Sequence, residues 1–283
     1  MFWSRKRNQP PRTVTRAVTV EAAEPLASLI SDVGCHRELN EDSGRIVHSG
    51  PGRGLLVVVA DGMGGHQAGE VASKAAVETI GREYGEAPGT PGAALAQAFQ
   101  KAHHQILKLA TENVSMSGMG TTCTALAIVD GHAWAAHVGD SRLYLVRSDN
   151  IYQLSEDHTQ CMEMVRRGLM TLEEARRNED RNVLSHAMGT RPELKAMFWP
   201  EPMSVQPGDT YLLCSDGLHD LVADTEMREA VQGGEAEAVC RTLVDMAKER
   251  GGYDNITVAV VSIPQGGSSP PPVKETRAFE VAG

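Results

Sequence analysis

Four aspartates stand beside apolar, strand-like runs in this 283-residue sequence. Asp61 follows VVVA, Asp140 follows HVG, Asp216 follows LLCS, and Asp254 precedes NITVAVV. A single aspartate at such a junction is typical of a turn or a helix cap. Four carboxylates on converging strand ends, however, would repel one another unless cations neutralise them. Because hard oxygen ligands suit Mg²⁺ or Mn²⁺ better than zinc, the pattern predicts a divalent-cation centre.

A charged cluster, HRELNEDS at 36–43, precedes these aspartates. It places Arg37 close in sequence to Glu41 and Asp42. A solvated loop would have the same mixture of charges. An acidic metal centre that handles phosphate also needs a nearby guanidinium, because its planar fork matches two phosphate oxygens. The cluster is therefore either a solvated loop or the phosphate-binding side of the predicted centre.

The elements that would position these residues are short strands and longer helices. Apolar runs typical of strands cover 54–61, 121–130, 132–140, 142–148, 209–216 and 255–263. Helical patterns cover about 67–85, 91–113, 159–178 and 234–250. The pair Asp130-Gly131 is a hairpin signal and predicts antiparallel pairing. Because strands and helices segregate, we predict an α+β layered sandwich in place of a doubly wound parallel sheet.

Composition restricts the class of protein. The formal net charge of −10 argues against a broad nucleic-acid-binding surface, which needs clustered Lys and Arg. The five cysteines form no CxxC pair, so the sequence indicates neither a disulfide framework nor a zinc site. No apolar run reaches membrane-spanning length, and no signal-peptide pattern follows the basic N-terminal residues. We therefore expect a cytoplasmic protein without a membrane span.

The two ends differ in composition from the middle. Residues 1–25 are polar, basic and proline-containing, and residues 264–283 are rich in Pro, Gly and Ser. We predict that both ends are flexible and that 26–263 forms the folded domain. The basic N-terminal residues are either a solvated tail or a contact for an acidic partner or membrane surface.

Eight segments together carry a family resemblance. They are HRELNEDS (36–43), ADGMGGHQAGEVAS (60–73), GMGTTCTAL (118–126), HVGDSRLYL (137–145), SEDHT (155–159), RNVLSHAMGT (181–190), LLCSDGLHD (212–220) and YDNITVAVV (253–261). In this order they resemble the metal-dependent Ser/Thr protein phosphatases of the protein phosphatase 2C type, in their bacterial form. The resemblance covers nearly the whole chain except its ends.

The resemblance implies a fold and a ligand set. The fold would be a four-layer α/β/β/α sandwich with two antiparallel sheets and the metal centre at one end. Asp61 would bridge two Mn²⁺ or Mg²⁺ ions, with the Gly62 carbonyl on one ion and Asp216 and Asp254 on the other. Asp140 would hold a third ion together with Asp216. The phosphatase domain would span 26–263, with a mobile flap at about 156–190 whose Arg-rich helices either contact substrate or face solvent.

The resemblance also implies a mechanism. A metal-bridging hydroxide would attack phosphorus directly, Glu41 and Asp42 would hold metal-bound waters, and Arg37 would bind the substrate phosphate. No segment offers a protein nucleophile paired with a base. Met63 stands where the eukaryotic branch has a histidine proposed as general acid, and a thioether cannot donate a proton. The identity of the group that protonates the leaving alkoxide is therefore left open by the sequence.

We expect a monomeric enzyme. Its expected partners are phosphorylated proteins, the targets of a Ser/Thr kinase. One alternative is a non-catalytic phosphoprotein-binding module on the same fold, which would be expected to have lost metal ligands. Another is a phosphatase dedicated to one regulatory phosphoprotein of the anti-sigma antagonist type. A nucleotide-binding loop at DGMGGHQAG is disfavoured, because the stretch lacks GxxxxGK[ST] and does not fit GxGxxG.

Overall fold

The computed structural model of this chain describes residues 24–50, 52–64, 68–232 and 234–265. Its strands are β1 (Leu26–Asp32), β2 (Asp42–His48), β3 (Leu55–Met63), β4 (Gly120–Thr121), β5 (Cys123–Val129), β6 (His132–Val138), β7 (Arg142–Arg147), β8 (Asn150–Gln153), β9 (Met197–Phe198), β10 (Met203–Ser204), β11 (Thr210–Cys214) and β12 (Ile256–Ser262). Its α-helices are α1 (Ala68–Glu86), α2 (Pro91–Glu112), α3 (Gln160–Arg166), α4 (Leu172–Arg177), α5 (Asp216–His219), α6 (Asp224–Val231) and α7 (Ala236–Glu249). A 3₁₀ turn covers Val114–Met116.

The strands form two sheets in which the pairing is antiparallel. One sheet has the order β1-β12-β11-β7-β8. The other has the order β10-β6-β5-β3-β2, with β4 added beside β3 and β9 beside β6. Strands β5 and β6 form the predicted hairpin, and Asp130 and Gly131 both have positive φ, at 47° and 74°. These φ values fit a tight turn that matches the twist of the strands.

Three hydrophobic clusters define four layers. Alternation along β3 sends Leu55, Val57 and Val59 into the space between the sheets. The intervening Leu56 and Val58 face the layer formed by α1 and α2. On the other side, α7 covers the sheet that contains β12 and buries a third cluster. The predicted α+β sandwich of four layers, with two antiparallel sheets, is confirmed.

Strand β3 corrects one prediction. The sequence suggests that the strand stops at Asp61, but β3 continues to Met63. It pairs with β5 up to Val59 and then pairs with β4 at Gly62 and Met63. Asp61 therefore lies where the strand changes partner, a feature that hydrophobic periodicity does not report.

Other predictions differ in detail. The helix predicted over 159–178 is two short helices, because Gly168 has a left-handed φ of 70° and Thr171 starts α4 with a capping box. Strands β1 and β2 lie outside the predicted strands. Both are edge strands, and their sequences LASLISD and DSGRIVH mix polar and apolar residues without a clear period.

Most residues of the two ends predicted to be flexible are not among the described residues. Residues 1–23 and 266–283 lie outside the described residues, so the expectations for them stay predictions. Within the described part, no helix is long and apolar enough to cross a membrane. All five cysteines are free thiols, and Cys35 is the exposed one.

Candidate metal centre

A cleft of about 300 Å³ opens at one end of the sandwich. Strands β3, β6 and β11 end on this side, and their antiparallel neighbours β2 and β12 begin there. Seven of the eight predicted site residues line the cleft: Arg37, Glu41, Asp61, Gly62, Asp140, Asp216 and Asp254. The eighth, Asp42, lies directly behind it, opposite Asp61 in the β2–β3 register. The fold therefore gathers residues that are up to 217 positions apart in the chain.

Backbone hydrogen bonds fix Asp61 at the floor of the cleft. Its N–H donates to Thr122 Oγ1 at 2.9 Å, and its carbonyl accepts from the Thr122 N–H at 2.8 Å. The next residue, Gly62, donates its N–H to the Glu41 carbonyl at 3.1 Å. A Cβ at Gly62 would lie 2.1 Å from the Gly69 carbonyl oxygen, so only glycine fits this close approach.

Asp42 is held from the opposite sheet. Ser215 Oγ donates to Asp42 Oδ2 at 2.7 Å, and the Thr257 N–H donates to Ser215 Oγ at 3.0 Å. Both Ser215 and Thr257 are fully buried. The serine next to Asp216 thus orients a carboxylate of the site.

Asp140 lies in a turn and Asp216 begins a short helix, so neither belongs to a strand. Strand β11 ends at Cys214, so Asp216 is the first residue of α5, which corrects its predicted place at a strand end. Asp140 follows β6 in a turn, and its carbonyl accepts from His219 Nε2 at 3.0 Å. The adjacent Ser141 hydroxyl lies 2.7 Å from Thr122 Oγ1. Helix α5 and the Asp140 turn are therefore tied to the floor of the cleft.

Arg37 and Asp254 form an ion pair across the mouth of the cleft. The Arg37 Nη2 donates to Asp254 Oδ2 at 2.7 Å, and both side chains are partly exposed. The guanidinium predicted to bind phosphate is thus paired with a carboxylate predicted to bind metal. Such a pair is expected for neighbouring opposite charges at a partly exposed site.

Asn255 is a site residue that sequence reasoning missed. Its side chain accepts from the Glu41 N–H at 2.8 Å and donates to the carbonyls of Val33 and Leu39, both at 3.0 Å. One buried amide thereby fixes the loop that carries Arg37 and Glu41. The available signal was a polar residue at the buried start of the apolar run NITVAVV, a position that needs partners inside the protein.

Burial and mutual repulsion raise the pKa of most of these carboxyls. Burial first, then the neighbouring carboxylates, raises the pKa of Asp42 and of Asp140 to about 7. The same two causes raise the pKa of Asp61 well above its ordinary value, with Asp42 as the strongest charged neighbour. Burial is also the main cause of the raised pKa of Asp216 and Glu41. Groups that resist ionisation in this way need a cation to hold them charged.

The donor set fits a hard divalent cation. Buried Glu41 Oε1 and Asp42 Oδ1 have no hydrogen-bond partner of good geometry among the described residues. The cleft is lined by carboxylates and by no histidine or cysteine in the described part of the chain, which favours Mg²⁺ or Mn²⁺ over zinc. Within the described ranges, no group of three or more Asp, Glu, His or Cys side chains is close enough together to bind one metal ion directly. The residues thus fit a site that carbonyl oxygen or water completes.

The predicted flap, about 156–190, borders this cleft. Its residues Asn182 and Leu184 line the cleft, and Arg181 pairs with Asp220 of the core at 3.0 Å. A second cleft of about 580 Å³ runs beneath α3 and α4 and shares Asp140 and Asn182 with the first. The arrangement leaves both expectations for the flap arginines open, because Arg176 and Arg181 both line the second cleft and Arg181 also pairs with Asp220.

Comparison with known proteins agrees with this geometry. A family described as "Protein phosphatase 2C" matches residues 36–253. Protein phosphatase PhpP of Streptococcus pneumoniae is 35% identical over 240 residues, which cover 83% of this chain and 96% of that protein. The structure of the Mycobacterium tuberculosis serine/threonine phosphatase PstP/Ppp matches with a TM-score of 0.77 and 34% identity, over 85% of this chain and 99% of that one. The PstP catalytic domain in complex with two manganese ions matches with a TM-score of 0.75 and 33% identity, over 85% and 99% of the two chains. This chain therefore belongs to the protein phosphatase 2C family of metal-dependent serine/threonine protein phosphatases.

Proposed function

We propose that this chain hydrolyses phosphoserine and phosphothreonine in proteins by direct attack of water on phosphorus. The observation that carries the proposal is the convergence of Asp61, Asp140, Asp216 and Asp254 on one cleft beside Arg37. A non-catalytic binding module would not need to retain all of these side chains. Burial and neighbouring carboxylates raise the pKa of Asp61, which fits a site that cations would neutralise.

Asp61, Asp216, Asp254 and the Gly62 carbonyl are the groups that would hold two divalent cations, with Asp140 available for a third. When bound, Mn²⁺ or Mg²⁺ ions supply an activated water and positive charge for the phosphoryl oxygens. Manganese is supported by its presence in the related PstP catalytic domain. The all-oxygen donor set of the cleft supports the same class of ion.

The remaining site residues bind the phosphoryl group, orient water or position the loop that carries Arg37. Arg37 exchanges Asp254 for two oxygens of the phosphoryl group, for which its planar fork is suited. Glu41 and Asp42 each have a buried oxygen without a hydrogen-bond partner among the described residues, and these oxygens orient water. Asn255 keeps the Arg37 loop in register with Glu41.

The chain's own nucleophile candidates beside the site are poorly placed for covalent catalysis. Burial raises the pKa of Cys214 to about 12, so its thiol stays protonated at neutral pH. The Ser215 hydroxyl donates to Asp42, and no histidine among the described residues hydrogen-bonds to it. Both features support attack by water without a phosphoenzyme.

Stereochemistry tests this mechanism. Hydrolysis of a chiral phosphorothioate ester should invert the configuration at phosphorus, because one in-line displacement occurs. Retention would require two displacements and would refute direct attack. As a companion test, Cys214→Ala and Ser215→Ala should each keep measurable turnover, and phosphate trapped on either residue in the wild type would overturn the proposal.

Substrate class needs a separate measurement. We expect phosphate release from phosphoserine and phosphothreonine peptides, with matched phosphotyrosine peptides as the comparison. Release from phosphotyrosine alone would contradict the proposal. We further propose a monomeric enzyme that acts on the targets of a Ser/Thr kinase in the cytoplasm, where five free cysteines would stay reduced.

A further inference from the structure

Two aromatic side chains stack beside residues that line the metal cleft. The rings of His36 and Tyr253 have centroids 5.1 Å apart and an interplanar angle of 27°. His36 immediately precedes Arg37, and Tyr253 immediately precedes Asp254. Because consecutive Cα atoms are about 3.8 Å apart, the stacked pair lies next to the two residues that form the mouth of the cleft.

The pair is exposed. The Tyr253 side chain is 63% exposed, and His36 is exposed as well. The other exposed large aromatic side chain in the described part of the chain is Tyr152, which is 49% exposed and lies on the edge strand β8. Tyr253 therefore presents a large flat surface to solvent next to Asp254, which lines the cleft.

The loops beneath the pair are fixed in place. The Cys35 N–H donates to the Gly252 carbonyl at 2.7 Å, which joins the loop of His36 to the loop of Tyr253. The Tyr253 ring lies over Gly251, where a Cβ would come within 2.4 Å of the ring carbon Cζ. Asn255 adds its hydrogen bonds to Val33 and Leu39 on the same two loops. A preorganised surface of this kind loses little conformational entropy on binding.

Two charged side chains near the pair, Arg37 and Lys248, are engaged in ion pairs, whereas Glu38 in the His36 loop is exposed. Arg37 pairs with Asp254 at 2.7 Å, and Lys248 pairs with Asp32 at 2.8 Å. The exposed rings themselves offer a flat and largely apolar face. Its complement is an apolar side chain, because aromatic faces gain most from packing against apolar or ring-shaped groups.

We propose that the stacked His36–Tyr253 pair binds an apolar side chain of the phosphoprotein substrate, close in sequence to the phosphorylated residue. The inference rests on the proposed function, because the phosphoryl group is placed in the adjacent cleft. An extended peptide advances about 3.3–3.6 Å per residue, so the contacted side chain lies within roughly three residues of the phosphoserine. The pair thereby gives the enzyme sequence selectivity that the metal cleft alone does not supply.

The test compares peptides with a substrate that has no flanking residues. One set of phosphoserine peptides would carry Pro or Leu at each of the three positions on either side of the phosphoserine, and a matched set would carry Ser or Glu there. The kcat/KM for each peptide would be divided by the kcat/KM for p-nitrophenyl phosphate. For the wild type we expect a higher ratio with Pro or Leu at one or more positions. Tyr253→Ala should lower that ratio by about 3- to 10-fold, and Tyr253→Phe should retain it.

Two further variants make the result specific. His36→Ala should weaken the same preference, and Tyr152→Ala, a matched exposed aromatic on β8, should leave the ratio unchanged. An equal fall for peptide and ester in Tyr253→Ala would mean a general disturbance of the Asp254 loop and would overturn the inference. So would a wild-type enzyme without any preference for apolar flanking residues. Failure of the wild type to hydrolyse any phosphopeptide would instead overturn the proposed function.

Discussion

The charge state of the carboxylates in the cleft follows from burial and from mutual repulsion. Asp42 and Asp140 have pKa values raised to about 7, whereas an ordinary aspartate is ionised above about pH 4. Between these two pH values the folded protein without metal binds protons that the unfolded chain does not. Metal ions must displace those protons, so acid and metal compete for the same oxygens.

We therefore predict that Mn²⁺ affinity falls as the pH falls below 7. The expected loss is about tenfold per pH unit for each proton displaced. Calorimetric titration at pH 7.5 and 5.5 measures it, and repeating the titration in two buffers of different ionisation enthalpy counts the protons released. Equal affinity at both pH values would mean that the cleft carboxyls are ionised without metal.

Arg37 offers a second test at the residue scale. Arg37→Ala should raise KM for phosphopeptides by about tenfold or more, because a charged hydrogen bond to the phosphoryl group is lost. Its Mn²⁺ affinity should not fall, since the substitution releases Asp254 from the ion pair at 2.7 Å. Asp254→Asn is the matched variant and should weaken metal binding. Equal loss of metal in both variants would show that the role of Arg37 is misassigned.

At the scale of elements, the sequence predicts the buried strands and long helices well. Runs such as LLVVVA alternate between two apolar environments and are unmistakable. The sequence does not predict that β3 changes its pairing partner at Asp61, because strand pairing depends on residues far away in the chain. The four aspartates could be found from sequence, whereas Asn255 acts through contacts with a loop more than 200 residues away.

Gly62 tests the importance of the strand end. A Cβ there would lie 2.1 Å from the Gly69 carbonyl oxygen and 2.6 Å from that of Glu41. Gly62→Ala should destabilise the protein by about 1–3 kcal/mol and reduce turnover, because β3 must shift away from α1. Gly85→Ala in α1, where the nearest atoms are 4.0 Å away, is the control and should be neutral or slightly stabilising. Urea unfolding of both variants measures the difference, and an unaffected Gly62→Ala would contradict this packing argument.

The whole molecule is organised around three buried clusters. All their described members lie between Ala27 and Ile263, and the metal cleft is built on the ends of the strands that contribute to them. The composition of the ends, basic at the start and rich in Pro, Gly and Ser at the close, predicts no contribution to this core.

Deleting residues 1–24 and 265–283 should therefore preserve folding and turnover of a small phosphate ester. Thermal unfolding and p-nitrophenyl phosphate hydrolysis of the truncated and full-length proteins check this. A lower melting temperature of the truncated protein would mean that an end contributes to the fold. Loss of activity towards a protein substrate alone would identify an end as a docking element.

The most direct test of the account is the coupling of metal binding to hydrolysis at Asp61. Wild-type protein stripped with a chelator would be titrated with Mn²⁺ while metal binding and phosphate release from a phosphoserine peptide are followed together. We predict no turnover without metal, turnover that rises as two ions bind, and severe loss of both metal and turnover in Asp61→Asn, since that carboxylate is central to the cleft. Full turnover in the stripped wild type, or an Asp61→Asn variant with unchanged metal binding and turnover, would contradict the account.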